Sequence, residues 1–419
     1  MRGSRLIAAV VFPLLLVFTA APLRALTQQE IDAATGLVPR HVVPVIRLLA
    51  SNRMHGRDNN TSESLLAQRL LIGFLKRLGP GLDAARDGDD AYKQPFVEKD
   101  QTGTNLLAVI PGRELPDQYV VIGAHFDHLG TRSTADGSCF SKGTPGGAVC
   151  NGATDNAAGV AATLAIGEAL RSLPTPPRRS VVLALWDSEE DGLLGSLHYV
   201  THPVVPLAQT VAYVNFDILG QDLLPSLHAE SFAVGGETGG AVLQAVVERA
   251  AAGQDFDLRK VSYIFGESRS DYKNFVDHRV PTVFFSDSTG PCYHTTGDDL
   301  SIVNFGKLRA QARTAFRAVV DLAESDSVPT FVPRNTQGAV YADAVSLLPI
   351  YTNAQQDLQL FSATDRTALQ AMAARTQGIV DRGADHFGGA DALTLLGDVT
   401  QAIDILTRSG CKRRPAAGQ

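Results

Sequence analysis

The chain has 419 residues, 44% of them hydrophobic and 19% charged, with a net charge of −7 at neutral pH. That composition is globular, with apolar residues enough for a large core, and it excludes collagenous and low-complexity chains. Basic residues number 37 against 44 acidic ones, and the only basic run is Lys412, Arg413 and Arg414, so a protein built to grip nucleic-acid phosphate is excluded and no nucleic-acid partner is expected.

The chain opens on a leader pattern. Met1 to Arg5 carries two arginines and no acid, Leu6 to Phe18 is apolar without a charge, and Thr19 to Ala25 is rich in small residues, with Leu23 and Ala25 suiting a cleavage site. The apolar stretch is shorter than the roughly 20 residues that span a bilayer. Residues 1–25 are therefore expected to be a signal peptide, leaving an exported protein, periplasmic or secreted, with no stable membrane insertion after cleavage. Four cysteines suit that compartment, and Cys139 and Cys150, in a loop rich in Gly, Ser and Thr, are spaced to close it, the alternative being buried thiols. No CxxC or Cys/His finger spacing supports zinc held on sulfur.

Residues 26–95 read as mostly helical. Val45 to Ala50 is a short apolar run broken by Arg47. Over Ser62 to Leu78 the residues Leu65, Leu66, Leu70, Leu71, Phe74, Leu75 and Leu78 recur at helical spacing, with Thr61 and Ser62 as caps and Gly79-Pro80 as the stop. From about residue 104 the pattern changes. Asn105–Ile110, Gln118–Ala124, Ser180–Trp186, Val211–Phe216 and Pro281–Phe285 predict buried strands. Ala157–Leu170, Gly195–Val200, Gly240–Ala252, Ser270–Asp277 and Phe305–Leu322 predict the helices between them. This alternation predicts an α/β fold with a mostly parallel or mixed central sheet flanked by helices. After about residue 326 the strands stop, and Ala354–Leu360, Asp365–Asp381 and Asp391–Thr407 read as helices. Residues 326–419 are thus expected to be a helical C-terminal extension, without an assigned role, on a domain spanning 26–325.

In open α/β sheets ligands bind beyond the carboxyl ends of the strands. The residues placed there are His125, Asp127 and His128 after the second strand, Asp187 to Asp191 after the third, Asp217 after the fourth, and Asp287 with the Tyr293-His294 loop after the fifth. Asp155 leads into the helix at Ala157. Carboxylates converging with few cations call for metal. Imidazole with carboxylate oxygen suits zinc with open coordination positions. The charges of Asp155, Glu190 and Asp217 balance two dications with a hydroxide between them, a pair suited to water attack on an acyl carbon. Singly, each residue also reads as a loop hydrogen bond, a solvated turn or a cap. His128, His198, His202, His228, His278, His41, His55 and His386 are taken as structural or surface residues.

These residues lie in six ordered motifs: Gly123-Ala124-His125-Phe126-Asp127-His128-Leu129-Gly130; Asn151-Gly152-Ala153-Thr154-Asp155-Asn156-Ala157-Ala158-Gly159; Glu189-Glu190-Asp191-Gly192-Leu193-Leu194-Gly195-Ser196; Asn215-Phe216-Asp217-Ile218-Leu219-Gly220; Ser270-Asp271-Tyr272; and Tyr293-His294-Thr295-Thr296-Gly297-Asp298-Asp299. In this the chain resembles, over about residues 45–322, the co-catalytic di-zinc aminopeptidases of clan MH, a group of secreted bacterial and fungal enzymes. Arg53 to Arg57 also looks like that family's N-terminal segment. The resemblance implies a zinc-exopeptidase fold for residues 26–325, two Zn2+ ions and peptide substrates; it specifies no oligomeric state. His125 and Asp217 would bind one zinc, Glu190 and His294 the other, and Asp155 would bridge them, its bond to Asn156 expected to be cis. Asp127 would orient the His125 ring. Glu189 would be the general base, and Tyr293, with Tyr272 as the alternative, would donate to the tetrahedral oxyanion.

The chain departs from the family at Thr154, where Asp is frequent, at Tyr272, where His is common, and at Thr296, where Pro often follows. The Leu129–Cys150 loop is long enough to form a rim over the site, and no protease-associated domain fits between Pro95 and Thr104. Two relatives in chemistry stay open: a carboxypeptidase, for which Arg269 is the candidate carboxylate-binding cation, and a single-zinc glutaminyl cyclase. A binding protein without activity is disfavoured because the ligands and Glu189 are all kept. Neither a Gly-x-Ser-x-Gly nor a His-Glu-x-x-His motif is present.

Overall fold

Side chains that alternate between two apolar faces build the central sheet. In this computed structural model, which describes residues 25–333 and 338–411, eight strands are formed. They are β1 (Lys93–Glu98), β2 (Gln101–Ile110), β3 (Leu115–His125), β4 (Arg179–Trp186), β5 (Thr210–Phe216), β6 (Glu230–Val234), β7 (Asp257–Val261) and β8 (Thr282–Ser286), in the order β1-β2-β4-β3-β5-β8-β6-β7. The expected signal peptide, Ala25 apart, lies outside the described residues.

The five expected strands are β2 to β5 and β8. The other three carry too much polarity for an apolar run: β1 and β7 are edge strands, β1 holding Pro95 and β7 reading Asp-Leu-Arg-Lys-Val, and β6 begins on Glu230, buried against Arg259 at 2.6 Å. The sheet is mixed. β3, β4, β5 and β8 run parallel, whereas β2 pairs antiparallel with β1 and β4, and β6 antiparallel with β8.

Period two sets the two faces. Val120, Ile122 and Ala124 of β3 join a core with α1 (Gln28–Thr35), α2 (Pro39–Leu49), α3 (Ser62–Leu78), α4 (Ala158–Arg171), α6 (Gly240–Ala251) and α8 (Phe305–Glu324). Val121 of β3, with Trp186, Tyr213 and Phe284, faces the other way, onto α5 (Leu194–Thr201) and α7 (Tyr272–Asp277). That second face is completed by the C-terminal extension: α9 (Tyr341–Ala354), α10 (Ala363–Arg382) and α11 (Gly389–Arg408). The helix expected at Ala354–Leu360 is a 3-10 turn at Gln355–Leu360, and α9 precedes it. Pro349 inside α9 breaks the helical pattern in the sequence. No helix among the described residues is long and apolar enough to cross a membrane.

Two devices fix the loops at the carboxyl edge. The Arg57 side chain is fully buried and donates to the carbonyls of Leu49 (2.6 Å), Phe126 (2.8 Å), Asn151 (2.8 Å) and Gly152 (3.1 Å), joining the N-terminal helices to the loops after β3 and before α4. Disulfides Cys139–Cys150 and Cys292–Cys411 close the second set of ties. The first pairing is the one expected from spacing; Cys292 and Cys411, 119 residues apart, gave no local signal.

Arg57→Leu would strand these buried carbonyls. It is expected to lower the free energy of unfolding by about 3 kcal/mol or more, read from urea denaturation; a loss within ordinary surface-mutant scatter would show that the guanidinium is dispensable.

Candidate metal centre

Because β3, β4, β5 and β8 are parallel, their carboxyl ends open on one edge, and the site is assembled there. His125 is the last residue of β3, Glu189 and Glu190 follow β4 in a tight turn, and Asp217 follows β5. Asp155 sits in the irregular turn before α4, and His294 comes from the loop after β8. His125 Nε2 lies 3.3 Å from Asp155 Oδ1 and 3.3 Å from Asp217 Oδ1. His294 Nε2 lies 3.3 Å from Asp155 Oδ2 and 3.1 Å from Glu190 Oε2. The two oxygens of Asp155 thus face two different histidines.

Those separations test the metal reading. Zinc holds nitrogen and oxygen donors at about 2.0–2.2 Å in a tetrahedron, which places neighbouring donors about 3.3–3.5 Å apart. Three of the four contacts fall at that spacing, longer than the usual hydrogen bond. Donor atoms of His125, Glu189 and Asp217 form one group within 4.8 Å, and those of His128, Asp155 and Glu190 form another. The donor set fits a metal centre of imidazole and carboxylate ligands.

The supporting residues are as ordered as the donors. The Asp127 carboxylate accepts from the backbone N–H of Glu189 (3.1 Å) and Glu190 (3.2 Å), so it fixes the glutamate turn. His125 Nδ1 lies 3.2 Å from the Asp127 backbone oxygen and 3.5 Å from its carboxylate. Asp298 accepts from Thr154 N (2.9 Å), Thr154 Oγ1 (2.8 Å) and Asp155 N (3.0 Å), holding the Asp155 turn. Asn156, joined to Asp155 by the expected cis bond, donates to the Phe216 carbonyl at the end of β5 (2.8 Å) and accepts from Gly159 N (3.0 Å). Position 159 must be glycine: a Cβ there would lie 2.2 Å from Asn156 Oδ1 and 2.8 Å from the Phe216 carbonyl oxygen.

Charge competes with burial throughout. Burial drives the Glu189 carboxyl well above the usual glutamate range, with Asp217 and Glu190 adding to the shift. Burial also opposes the charge of Glu190, but His294 and His128 outweigh it and pull that carboxyl down to about 2. The same balance raises His294 to about 10, where Glu190 and Asp155 overcome desolvation. Two glutamates adjacent in sequence are therefore pushed in opposite directions, one toward proton uptake and one toward permanent charge.

All eight residues singled out by sequence stand at this edge: the five expected ligands, with Glu189, Asp127 and Tyr293. Glu189, Asp155, Asp217 and Tyr293 line one cavity, and the Tyr293 ring stacks on His294 at 3.8 Å between centroids. Tyr272 is packed instead, stacked on Phe284 at 4.8 Å, its hydroxyl accepting from Ser268 N at 2.8 Å. Asp287 is occupied elsewhere, 3.2 Å from Lys307 Nζ and accepting from Gln221 N at 2.8 Å. His128, expected to be structural, lies at the same edge: its Nδ1 is 2.6 Å from Glu190 Oε1, leaving Glu190 Oε2 toward His294. The position of His128 three residues beyond His125 was its available signal. Arg57 and Asp298 lay within quoted motifs, but their contacts are long-range and invisible to spacing. The Leu129–Cys150 loop packs against the loop that carries His294, Cys139 N donating to the His294 carbonyl at 2.8 Å, but it supplies none of the cavity's described lining residues.

The sequence model described as peptidase family M28 matches residues 105–319, about half of the chain. A probable glutamate carboxypeptidase, LAMP1, of Arabidopsis thaliana is 31% identical over 232 residues, covering 52% of this chain and 31% of that protein. Leupeptin-inactivating enzyme 1 of Streptomyces exfoliatus is 28% identical over 230 residues, covering 52% of this chain and 45% of its own. The chain thus spans less than half the length of these curated relatives. Among solved structures, the zinc aminopeptidase BSAP of Bacillus subtilis superposes with a TM-score of 0.52 at 15% identity, over 71% of this chain and 98% of that one; the likeness is one of fold.

Replacing Asp298 by Ala frees the N–H groups that orient Asp155. Retention of bound metal against a chelator is expected to weaken about 10–100-fold, with the far-ultraviolet circular dichroism unchanged; unaltered retention would remove Asp298 from the centre.

Proposed function

This chain belongs to peptidase family M28, and from that premise we propose that it is an exported zinc aminopeptidase, hydrolysing N-terminal residues from peptides. The observation that carries the reading is Asp155, with one oxygen toward His125 and the other toward His294. In this reading His125 and Asp217 hold one zinc, Glu190 and His294 the other, and Asp155 both. Two zinc ions there would supply Lewis-acid polarisation of the scissile carbonyl and ease the ionisation of water.

The chain's own groups do the rest. Glu189, buried and lining the cavity beside Asp217, takes the proton of the attacking water and carries it to the leaving amine. Its elevated proton affinity suits a group that must hold the proton between those two events. Asp127 keeps Glu189 and Glu190 aimed by fixing their backbone. Tyr293 donates to the oxygen on which negative charge develops. Asp155, Glu189 and Asp217 make the cavity's inner end acidic, which favours the ammonium of a peptide N-terminus. Arg269 is the one cation among the cavity's described lining residues, and it pairs with Glu267 at 2.6 Å; this favours amine over carboxylate recognition. The disulfides fit an oxidising compartment, periplasmic or extracellular, reached through the leader at residues 1–25. Residues 26–325 form the catalytic unit in this reading and 326–419 its extension.

The purified protein is expected to hold two zinc ions per chain and to hydrolyse aminoacyl chromogenic substrates. Glu189→Gln is expected to keep both ions while kcat falls about 10²–10⁴-fold. One ion with no hydrolysis, and cyclisation of N-terminal glutamine instead, would overturn the reading.

A further inference from the structure

The cavity that begins at Asp155, Glu189 and Asp217 does not end within the family-matched stretch. Beyond those carboxylates its floor is Phe232, Val234 and Phe284 of the sheet, and the whole cavity encloses about 120 Å3. Its opposite wall is built by the C-terminal extension: Leu347 and Tyr351 from α9, Ile403 and Leu406 from α11. The volume is below the roughly 300–1,000 Å3 of sites that enclose a whole drug-sized ligand, and it suits one side chain.

We propose that α9 and α11 are the specificity wall of this enzyme, and that they select substrates whose first residue is bulky and apolar. This rests on the aminopeptidase reading above. Three observations support it. The pocket is apolar on both walls, so burying a large hydrocarbon side chain there removes apolar surface from water on both partners. The wall is held in register by polar ties. Asp343 at the start of α9 accepts from Ser262 N (2.7 Å) and Ser262 Oγ (2.8 Å), Asn353 donates to Glu230 (3.1 Å), and Asp357 accepts from Ser226 N (2.7 Å). At the rim Thr400 of α11 donates to Glu267 at 2.6 Å, the carboxylate that also pairs with Arg269. Finally, Cys411, three residues beyond α11, is bonded to Cys292, next to Tyr293. The wall is therefore anchored to the same loop that carries His294.

The test uses the full chain. Ala402 of α11 also lines the pocket, and Ala402→Phe fills it and is expected to lower the ratio of kcat/KM for leucyl over alanyl substrates at least tenfold. Ile403→Ala enlarges the pocket and is expected to raise the phenylalanyl-to-leucyl ratio at least threefold. Binding of 4-phenylbutanol, an uncharged apolar probe, is followed in parallel by saturation-transfer NMR, and is expected for the parent protein and lost in Ala402→Phe. Unchanged substrate ratios in both variants, or probe binding that Ala402→Phe does not diminish, would overturn the proposal. Probe binding lost in Ala402→Phe, with no aminoacyl substrate cleaved by the parent protein, would keep the wall and overturn the aminopeptidase reading instead.

Discussion

The constraint on which this structure depends is the concentration of carboxylates at one buried edge of the sheet. Asp127, Asp155, Glu189 and Asp217 are all nearly inaccessible to solvent, and Glu190 is only slightly less so. Burying like charges together is costly unless cations or hydrogen bonds compensate. The protein brings imidazoles, backbone N–H groups and one fully buried guanidinium to the edge, and it leaves donor atoms at the spacing of a metal polyhedron. The fold's parallel core is what permits this: strands that end together present their following loops together.

Compensation is divided by residue type. Asp127 and Asp298 are satisfied largely by backbone N–H groups, so they act as fixed acceptors that shape turns. Asp155 and Asp217 face His125, and Glu190 faces His128 and His294. Glu189 has the weakest compensation of these, facing His125 at 3.8 Å. That asymmetry sets Glu189, which burial drives toward proton uptake, apart from Glu190, which its histidines hold charged. Arg57 contributes differently again. It donates to carbonyl oxygens, and its charge sits behind the site rather than in it, where Asp127 and Asp298 feel it most among the acidic groups.

The strands that carry the site were legible because each is a run of buried apolar residues ended by a polar group: Ile122 to His125, Leu183 to Asp187, Val214 to Asp217. Periodicity reports such local facts well. It fails where a residue owes its place to distant partners. β6 and β7 hide behind Glu230 and Arg259, which neutralise each other across neighbouring strands. His128 reads as one more loop histidine until Glu190, 62 positions later, is brought against it. The extension was legible as helices, but its place against the sheet was not, since the side chains it meets there belong to strands distant in sequence.

The Cys292–Cys411 bond gives the chain a temporal order. The loop bearing Tyr293 and His294 is stapled to Cys411, 119 positions beyond Cys292, so the staple cannot close until α9, α10 and α11 have all been made. A chain short of Cys411 would carry His125, Asp155 and Asp217 without the covalent brace on the loop that carries His294. Bracing of that loop is thereby tied to the arrival of the chain's far helices and to conditions that oxidise thiols.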